Sequence, residues 1–331
     1  MSMQTSQLLT PRYLTENELT QECIDLISSL PAEKGWVATK LYKYQGFWHT
    51  SRQLQGVLSC QKHFQAQDTD ILLVTTPKSG TTWLKSLLFA LVNRSRFTLT
   101  LDQHPLLSNN PHMLVPFLEL KLYVEDENPD LSCFTSPRLF STHLPYISLP
   151  KSIMDSNCKT VYLCRNPKDT FISLWAFTNK LRLDEMGTNS LHDVFEKFCR
   201  GVSLYGPFWD HVLGYWEESV KNPEKVFFIK YEEMKEQPEL HLRKLADFLG
   251  CSFSSKEVKE NIVESIVEMC SFDNLSSLKV NKEGKLPSGE DNSAFFRNGK
   301  VGDWKNYLTP EMVDRLDKIS EEKLNGSGLK F

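Results

Sequence analysis

Nowhere among the 331 residues is there a run of about eighteen apolar residues, the length a helix needs to cross a bilayer. Residues 1–20 are polar, contain Pro11 and offer no apolar core behind basic residues, so no secretory signal is read there. Cysteine pairing is missing too. Of eight cysteines none forms a C-x-x-C spacing, which gives neither a disulfide framework nor a zinc site. Reduced, mostly buried thiols in a cytoplasmic protein with no membrane association are expected. Positive charge is not in excess: 38 Lys and Arg face 42 Asp and Glu, a net charge of −4, which argues against a nucleic-acid partner. A Walker loop is absent as well. Its pattern is G-x-x-x-x-G-K-[S/T], and the only Gly-Lys pairs, Gly284-Lys285 and Gly299-Lys300, are followed by neither Ser nor Thr.

What is present reads as one α/β domain with a sizeable core, since 40% of residues are hydrophobic. Four short apolar runs, 71–76, 138–142, 160–164 and 225–230, are β-branched or aromatic and nearly continuous, as strands buried on both faces are. Helical spacing follows three of them. Residues 82–93 place Leu84, Leu87, Leu88 and Leu91 on one face, and 169–180 and 239–249 repeat the pattern. Strand followed by helix, repeated, predicts a central, mostly parallel sheet flanked by helices, with ligands beyond the carboxyl ends of the strands. Residues 183–198 and 280–296 are more polar and read as loop excursions.

The strand ends carry the chemistry. The first is followed by Pro77-Lys-Ser-Gly-Thr-Thr-Trp83, a glycine turn with three hydroxyls at a helix start and a lysine above it, which suits an anion. The second ends at Thr142-His143, where a histidine reaches the same crevice and has no metal-ligand partner at nearby spacing, so acid–base work is its better use. The third ends at Arg165, with Ser173 on the helix that follows; a guanidinium and a hydroxyl there suit a phosphate. An exposed Arg165–Asp169 pair, with Asp169 as helix cap, is the plainer reading of those residues. The fourth ends at Tyr231, and further on residues 295–304 pack two glycines, two cations and three aromatics into ten positions.

Together these segments resemble the cytosolic sulfotransferases that use 3′-phosphoadenosine 5′-phosphosulfate (PAPS), especially plant members, over residues 40–330 or so. Pro77 to Trp83 is similar to the family's 5′-phosphosulfate loop, Arg165 to Ser173 to its 3′-phosphate site, and Phe296 to Trp304 to its carboxy-terminal signature. The resemblance implies a nucleotide-kinase-like sulfotransferase fold, with residues 1–40 as an extension and 41–331 as the domain. It implies His143 as catalytic base and Lys78 on the leaving phosphate. Ser79, Gly80, Thr81 and Thr82 would cradle the 5′ end, Trp83 would stack on adenine, Tyr231 would bond its edge and Phe272 would flank it. Arg165, Ser173, Arg297, Asn298 and Gly299 would hold the 3′-phosphate. Phe117 and Phe177 would line the pocket of a small hydroxylated acceptor, and no metal is called for. These two aromatics and Trp48 suggest an apolar, ring-bearing acceptor, a flavonoid or a steroid such as a brassinosteroid.

The chain departs from the family at several positions. Thr76 stands where many members have an aromatic, Asn298 replaces the lysine of R-K-G, Cys270 often is Thr, and Ser141 occurs where animal members have Lys. The dimerisation pattern K-x-x-x-T-V-x-x-x-E is present only as Lys305 to Asp314 with Thr309-Pro310, so a monomer is expected. Two other functions fit parts of the chain. A nucleotide-type kinase would need a Walker lysine and Mg²⁺-binding carboxylates. A non-catalytic module that senses 3′-phosphoadenosine nucleotides would keep Arg165 and Ser173 without requiring His143.

Overall fold

A computed structural model describes residues 14, 18–97, 103–182 and 187–331. The chain enters through helix α1 (Gln21–Ser29) and a three-stranded antiparallel sheet, β1 (Ala32–Lys34), β2 (Lys40–Tyr44) and β3 (Phe47–His49). Helix α2 (Ser51–His63) follows, and α1 docks on it through Cys23 and a bond from Thr20 Oγ1 to Gln55 Oε1 at 2.8 Å. The boundary expected at residue 40 falls inside this sheet, because Ala32, Glu33 and Lys34 pair with Tyr42, Leu41 and Lys40. Residues 20–40 are therefore part of the same packed unit.

The four apolar runs are strands of one parallel sheet: β4 (Ile71–Thr75), β5 (Leu139–Thr142), β6 (Lys159–Cys164) and β7 (Val226–Lys230), in the order β5-β4-β6-β7. Their side chains divide by alternation. Leu72 and Val74 of β4 join Phe140, Tyr162 and Cys164 in one core, whereas Ile71 and Leu73 join Leu139, Val161, Leu163 and Ile229 in the other. Both faces are thus covered, which explains why these strands show continuous rather than alternating apolarity. Helices α3 (Thr81–Asn93), α4 (Pro167–Leu181), α5 (Leu191–Cys199), α6 (Phe208–Lys221), α7 (Pro238–Phe248) and α8 (Pro310–Leu324) build the flanking layers.

The chain leaves β4 for β5 on one side and then crosses to β6 on the other, so β4 borders the switch point where such sheets open a crevice. The amino ends are closed instead: Arg138 forks onto Asp70 with Nε–Oδ1 2.7 Å and Nη2–Oδ2 2.6 Å, both side chains buried.

The two expected loop excursions need correction. Of the first, residues 183–186 lie outside the described residues, but Leu191–Cys199 is helix α5, started by Ser190 accepting from Asp193 N–H. Leu191, Val194, Phe195 and Phe198 form its apolar stripe, and Phe195 and Phe198 pack on Phe171. The second excursion begins in a helical turn, Lys279–Glu283, then passes through a bridge between Lys285 and Asp291 and a 3₁₀ turn, Asn292–Phe295.

Candidate active site

The turn after β4 owes its shape to two residues in the left-handed region. Gly80 caps α3 with φ +108°, and a Cβ there would lie 2.8 Å from Tyr231 Cδ2 and 2.9 Å from Leu163 Cδ2. Only glycine lets the turn approach the ends of β6 and β7 this closely. Lys78 has φ +69°, a conformation that costs a side-chain-bearing residue roughly 1 kcal/mol or more. Its ammonium lies 4.0 Å from the centroid of Phe177 and 5.7 Å from that of Phe295, inside one cavity at the carboxyl edge of the sheet. Among the described residues it pairs with no carboxylate. Burial and the charges of Lys180, Arg297 and Arg165 push its pKa down to about 7. A cation surrounded by cations is a place for an anion brought from outside.

Helix α3 supplies more of the same. Its first internal bond runs from Leu84 N–H to Gly80 O at 3.0 Å, so the N–H groups of Thr81, Thr82 and Trp83 have no acceptor within the helix. They add to the positive end of its dipole. The hydroxyls behave differently from one another. Thr82 lines the cavity with Oγ1 3.0 Å from His112 Nε2, and Thr81 Oγ1 lies 2.6 Å from Thr75 Oγ1. Ser79 does not reach the cavity: it is fully buried, its Oγ engages Thr76 and Thr170, and its N–H donates to Thr76 O.

At the end of β5, His143 is buried with Nδ1 2.6 Å from the Thr75 carbonyl. A carbonyl only accepts, so the proton sits on Nδ1 and Nε2 keeps a lone pair. Burial, assisted by the charges of Lys85, His211 and Lys78, holds the ring at about 3, although the bond to Thr75 works in the opposite direction. Phe117 stands 4.6 Å from this ring. Phe117 and Phe177 thus flank the space between His143 and Lys78. The backbone of His143 is fixed by Glu119, whose Oε1 accepts its N–H at 2.8 Å while Oε2 accepts the Thr142 hydroxyl at 2.8 Å. Glu119 comes from a single π-helical turn, Leu118–Leu122, a distortion common at functional sites.

At the end of β6 the guanidinium of Arg165 stacks 4.5 Å from the Tyr231 ring and donates to Lys300 O at 2.6 Å. Its Nε is buried without an acceptor, and so is that of Arg297. Both residues line the cavity, as does Ser173 from α4. Arg297 pairs with Asp303 through Nη1, and Asn298 Nδ2 donates to Asp303 Oδ1 at 2.7 Å. Asp169 is neither exposed nor a cap. Asn166 caps α4, and Asp169, fully buried, accepts from Gly302 N–H (2.7 Å) and Trp304 N–H (3.1 Å) and lies 3.7 Å from Arg165.

Aromatic walls complete the cavity. Trp83 meets Tyr231 edge-on at 5.4 Å, and the Tyr231 hydroxyl donates to Gly299 O at 3.1 Å. Gly299, at φ +63°, rests on Phe272, where a Cβ would come within 2.5 Å of Cδ2. Cys270 is also part of this wall. Trp48 is elsewhere. It is buried in the main core, its backbone exchanges bonds with Tyr205 and Gly206, and it is not among the residues that line the cavity. Sequence reasoning missed Lys85, His112, Glu119 and Tyr205, whose ring lines the cavity 5.4 Å from that of His143. The signal available was a lone charge in each of two apolar runs: Lys85 among Leu84, Leu87 and Leu88, and Glu119 between Leu118 and Leu120.

Among the described residues no helix is long and apolar enough to cross a membrane. Comparison with known proteins places the chain in a family. Residues 68–328 match the sulfotransferase domain. The chain is 54% identical over 315 residues to cytosolic sulfotransferase 5 of Arabidopsis thaliana, covering 95% of this chain and 98% of the relative. It is 51% identical over 330 residues to cytosolic sulfotransferase 13 of the same plant, covering 99% of each. A solved structure of a proposed steroid sulphotransferase from Arabidopsis thaliana shares 45% identity and a TM-score of 0.76, over 95% of this chain and 99% of that one. A mouse sulfotransferase complexed with PAP shares 30% identity and a TM-score of 0.66, over 87% and 96%. Half identity sustained from end to end, on a cavity made where the parallel strands end, leaves one conclusion: the chain belongs to the sulfotransferase family and is itself a sulfotransferase.

Proposed function

We propose that the enzyme moves a sulfuryl group from PAPS to the hydroxyl of a small, apolar, ring-bearing acceptor, a flavonoid or a steroid, with His143 as general base and Lys78 stabilising the leaving phosphate. When bound, PAPS supplies an activated sulfuryl group on a phosphate leaving group. The residues fit such a nucleotide. The orphaned Nε atoms of Arg165 and Arg297, with Ser173 beside them, suit its 3′-phosphate. Lys78, Thr82 and the amino end of α3 suit its 5′ end. Trp83, Tyr231 and Phe272 offer flat walls for adenine. Ser79 belongs to the turn without touching the ligand, whereas Asn298, beside Arg297 in the cavity wall, would face the 3′-phosphate while its Nδ2 bonds Asp303.

The observation that carries this reading is the 2.6 Å bond from His143 Nδ1 to the Thr75 carbonyl, which keeps Nε2 free to accept a proton. As the acceptor oxygen bonds to sulfur its proton passes to Nε2. The imidazole is uncharged at neutral pH because burial and cations depress it, and an anion in the cavity raises it again. Base strength is thereby tied to donor occupancy. Lys78 meets the charge that grows on the phosphate oxygen as the bond to sulfur breaks. In this reading no metal is required, since the transferred group carries less charge than a triphosphate tail.

The acceptor side is apolar, with Phe117, Leu120, Phe177 and Leu204 among its lining, and the similarity to a proposed plant steroid sulphotransferase supports a ring system. We place the enzyme in the cytosol as a monomer; the names of the Arabidopsis relatives support the compartment, and sedimentation velocity tests the second point. Turnover of PAPS with a panel of phenols, flavonols and sterols tests the whole reading. Turnover with ATP instead would favour a kinase, and nucleotide binding without turnover a sensing module.

A further inference from the structure

Lys85 is the buried amine that the chemistry above leaves unused. It is fully buried in the first half of α3 and forms no ion pair among the described residues; burial pulls its pKa well below the ordinary lysine value, and the Glu119 charge works in the opposite direction. Such a group is costly to keep, since a well-packed apolar side chain in its place is often neutral or stabilising. Its Nζ lies 3.0 Å from His112 Nδ1 and 3.5 Å from the centroid of Phe117. His112 forms part of the cavity wall, between Phe117 at 5.6 Å and Phe295 at 4.3 Å, and its Nε2 lies 3.0 Å from Thr82 Oγ1. Thr82 stands on the first turn of α3, beside Lys78.

Hydrogen-bond arithmetic gives this chain a direction. An ammonium has donors and no acceptor, so it claims the lone pair of His112 Nδ1 and the ring proton must sit on Nε2. That N–H donates to Thr82 Oγ1, and the hydroxyl proton of Thr82 is left for the cavity. A neutral amine keeps two N–H donors, so the same direction holds as long as one of them points at Nδ1. By donating to His112, Lys85 therefore decides whether Thr82 offers a phosphate its proton or only its lone pairs.

We propose that Lys85 and His112 are positioning residues that hold the Thr82 hydroxyl as a donor to the anionic 5′ end of the donor nucleotide, a role that rests on the nucleotide reading above. Thr82 alone touches the ligand; His112 acts through Thr82, and Lys85 through His112.

Thr82→Val, His112→Phe and Lys85→Met, with the doubles His112→Phe/Thr82→Val and Lys85→Met/His112→Phe, test the relay. Each single variant should weaken binding of adenosine 3′,5′-bisphosphate and raise the KM for PAPS about tenfold, the loss of one hydrogen bond to a charged group. The KM for the acceptor should stay within about twofold, and each double should be no worse than its poorer single. Lys85→Met should keep or raise Tm, because it removes a buried amine; if it fails to fold, the Thr82–His112 cycle decides alone. Independent, additive losses would overturn the relay, as would wild-type nucleotide affinity in Lys85→Met. Should the wild-type enzyme bind no adenosine 3′,5′-bisphosphate, the nucleotide reading itself fails.

Discussion

Lys78 provides a quantitative test of where the anion sits. With its pKa held at about 7 in the site without nucleotide, roughly one quarter of the lysine is protonated at pH 7.5. A phosphate beside it restores the ordinary alkaline value, so binding of adenosine 3′,5′-bisphosphate should draw in about three-quarters of a proton at pH 7.5 and nearly one at pH 8.5. The same linkage predicts the sign of the pH dependence. Above pH 7 the free lysine has lost its proton and the ligand must recover it, so apparent affinity should fall by up to about tenfold per pH unit towards pH 9. Calorimetry in buffers of different ionisation enthalpy reads the proton directly. Lys78→Arg is the control, because a guanidinium stays charged throughout this range. It should bind with almost no proton uptake and a flat profile between pH 7 and 9. Equal uptake by wild type and Lys78→Arg would show that another group titrates, and no uptake by wild type at pH 8.5 would show that Lys78 does not meet the phosphate.

Three further outcomes are expected. His143→Ala should lower kcat by on the order of 10² to 10⁴ while nucleotide affinity holds; activity within about threefold of wild type would make His143 structural. Asn298→Lys should tighten adenosine 3′,5′-bisphosphate several-fold, about 1 kcal/mol, by adding a cation where Asn298 now contacts Asp303. The gain should shrink with salt and be absent for adenosine 5′-phosphate, and an equal gain for both nucleotides would sink the 3′-phosphate assignment. Acid should loosen the fold early. His49 and His143 are held near 3 and His211 near 4 by burial. Unfolded they take up protons near pH 6.5, so stability is full above that pH and falls below it, by up to about 1.4 kcal/mol per pH unit for each histidine. A Tm unchanged between pH 7.5 and 5 would contradict this.

The parts of the molecule legible in the sequence were those written in periodicity. The apolar runs became β4 to β7 because strands covered on both faces need no polar alternation, and the leucine spacing of α3 survived for the same reason. Motifs at strand ends were legible because topology brings all carboxyl ends to one edge. What sequence could not convey was direction. Ser79 has the residue type of an anion ligand, yet the turn points it at Thr76 and Thr170. Trp48 has the look of a pocket aromatic and sits in the core. Helix α5 was mistaken for a loop because polar residues on its outer face masked a four-residue stripe. The Lys85–His112–Thr82 chain closes through a histidine 27 and 30 residues away from the other two, and only packing reveals it.

Asp169 has a consequence for how such an enzyme can change. One carboxylate ties the helix after β6 to the backbone of residues 302 and 304, and so fixes where Arg165 stands relative to Arg297. A change that opens this clasp would let one guanidinium shift against the other, although Asp169 is itself no part of the cavity wall. Nucleotide recognition thus depends on a residue that no inspection of ligand contacts would single out.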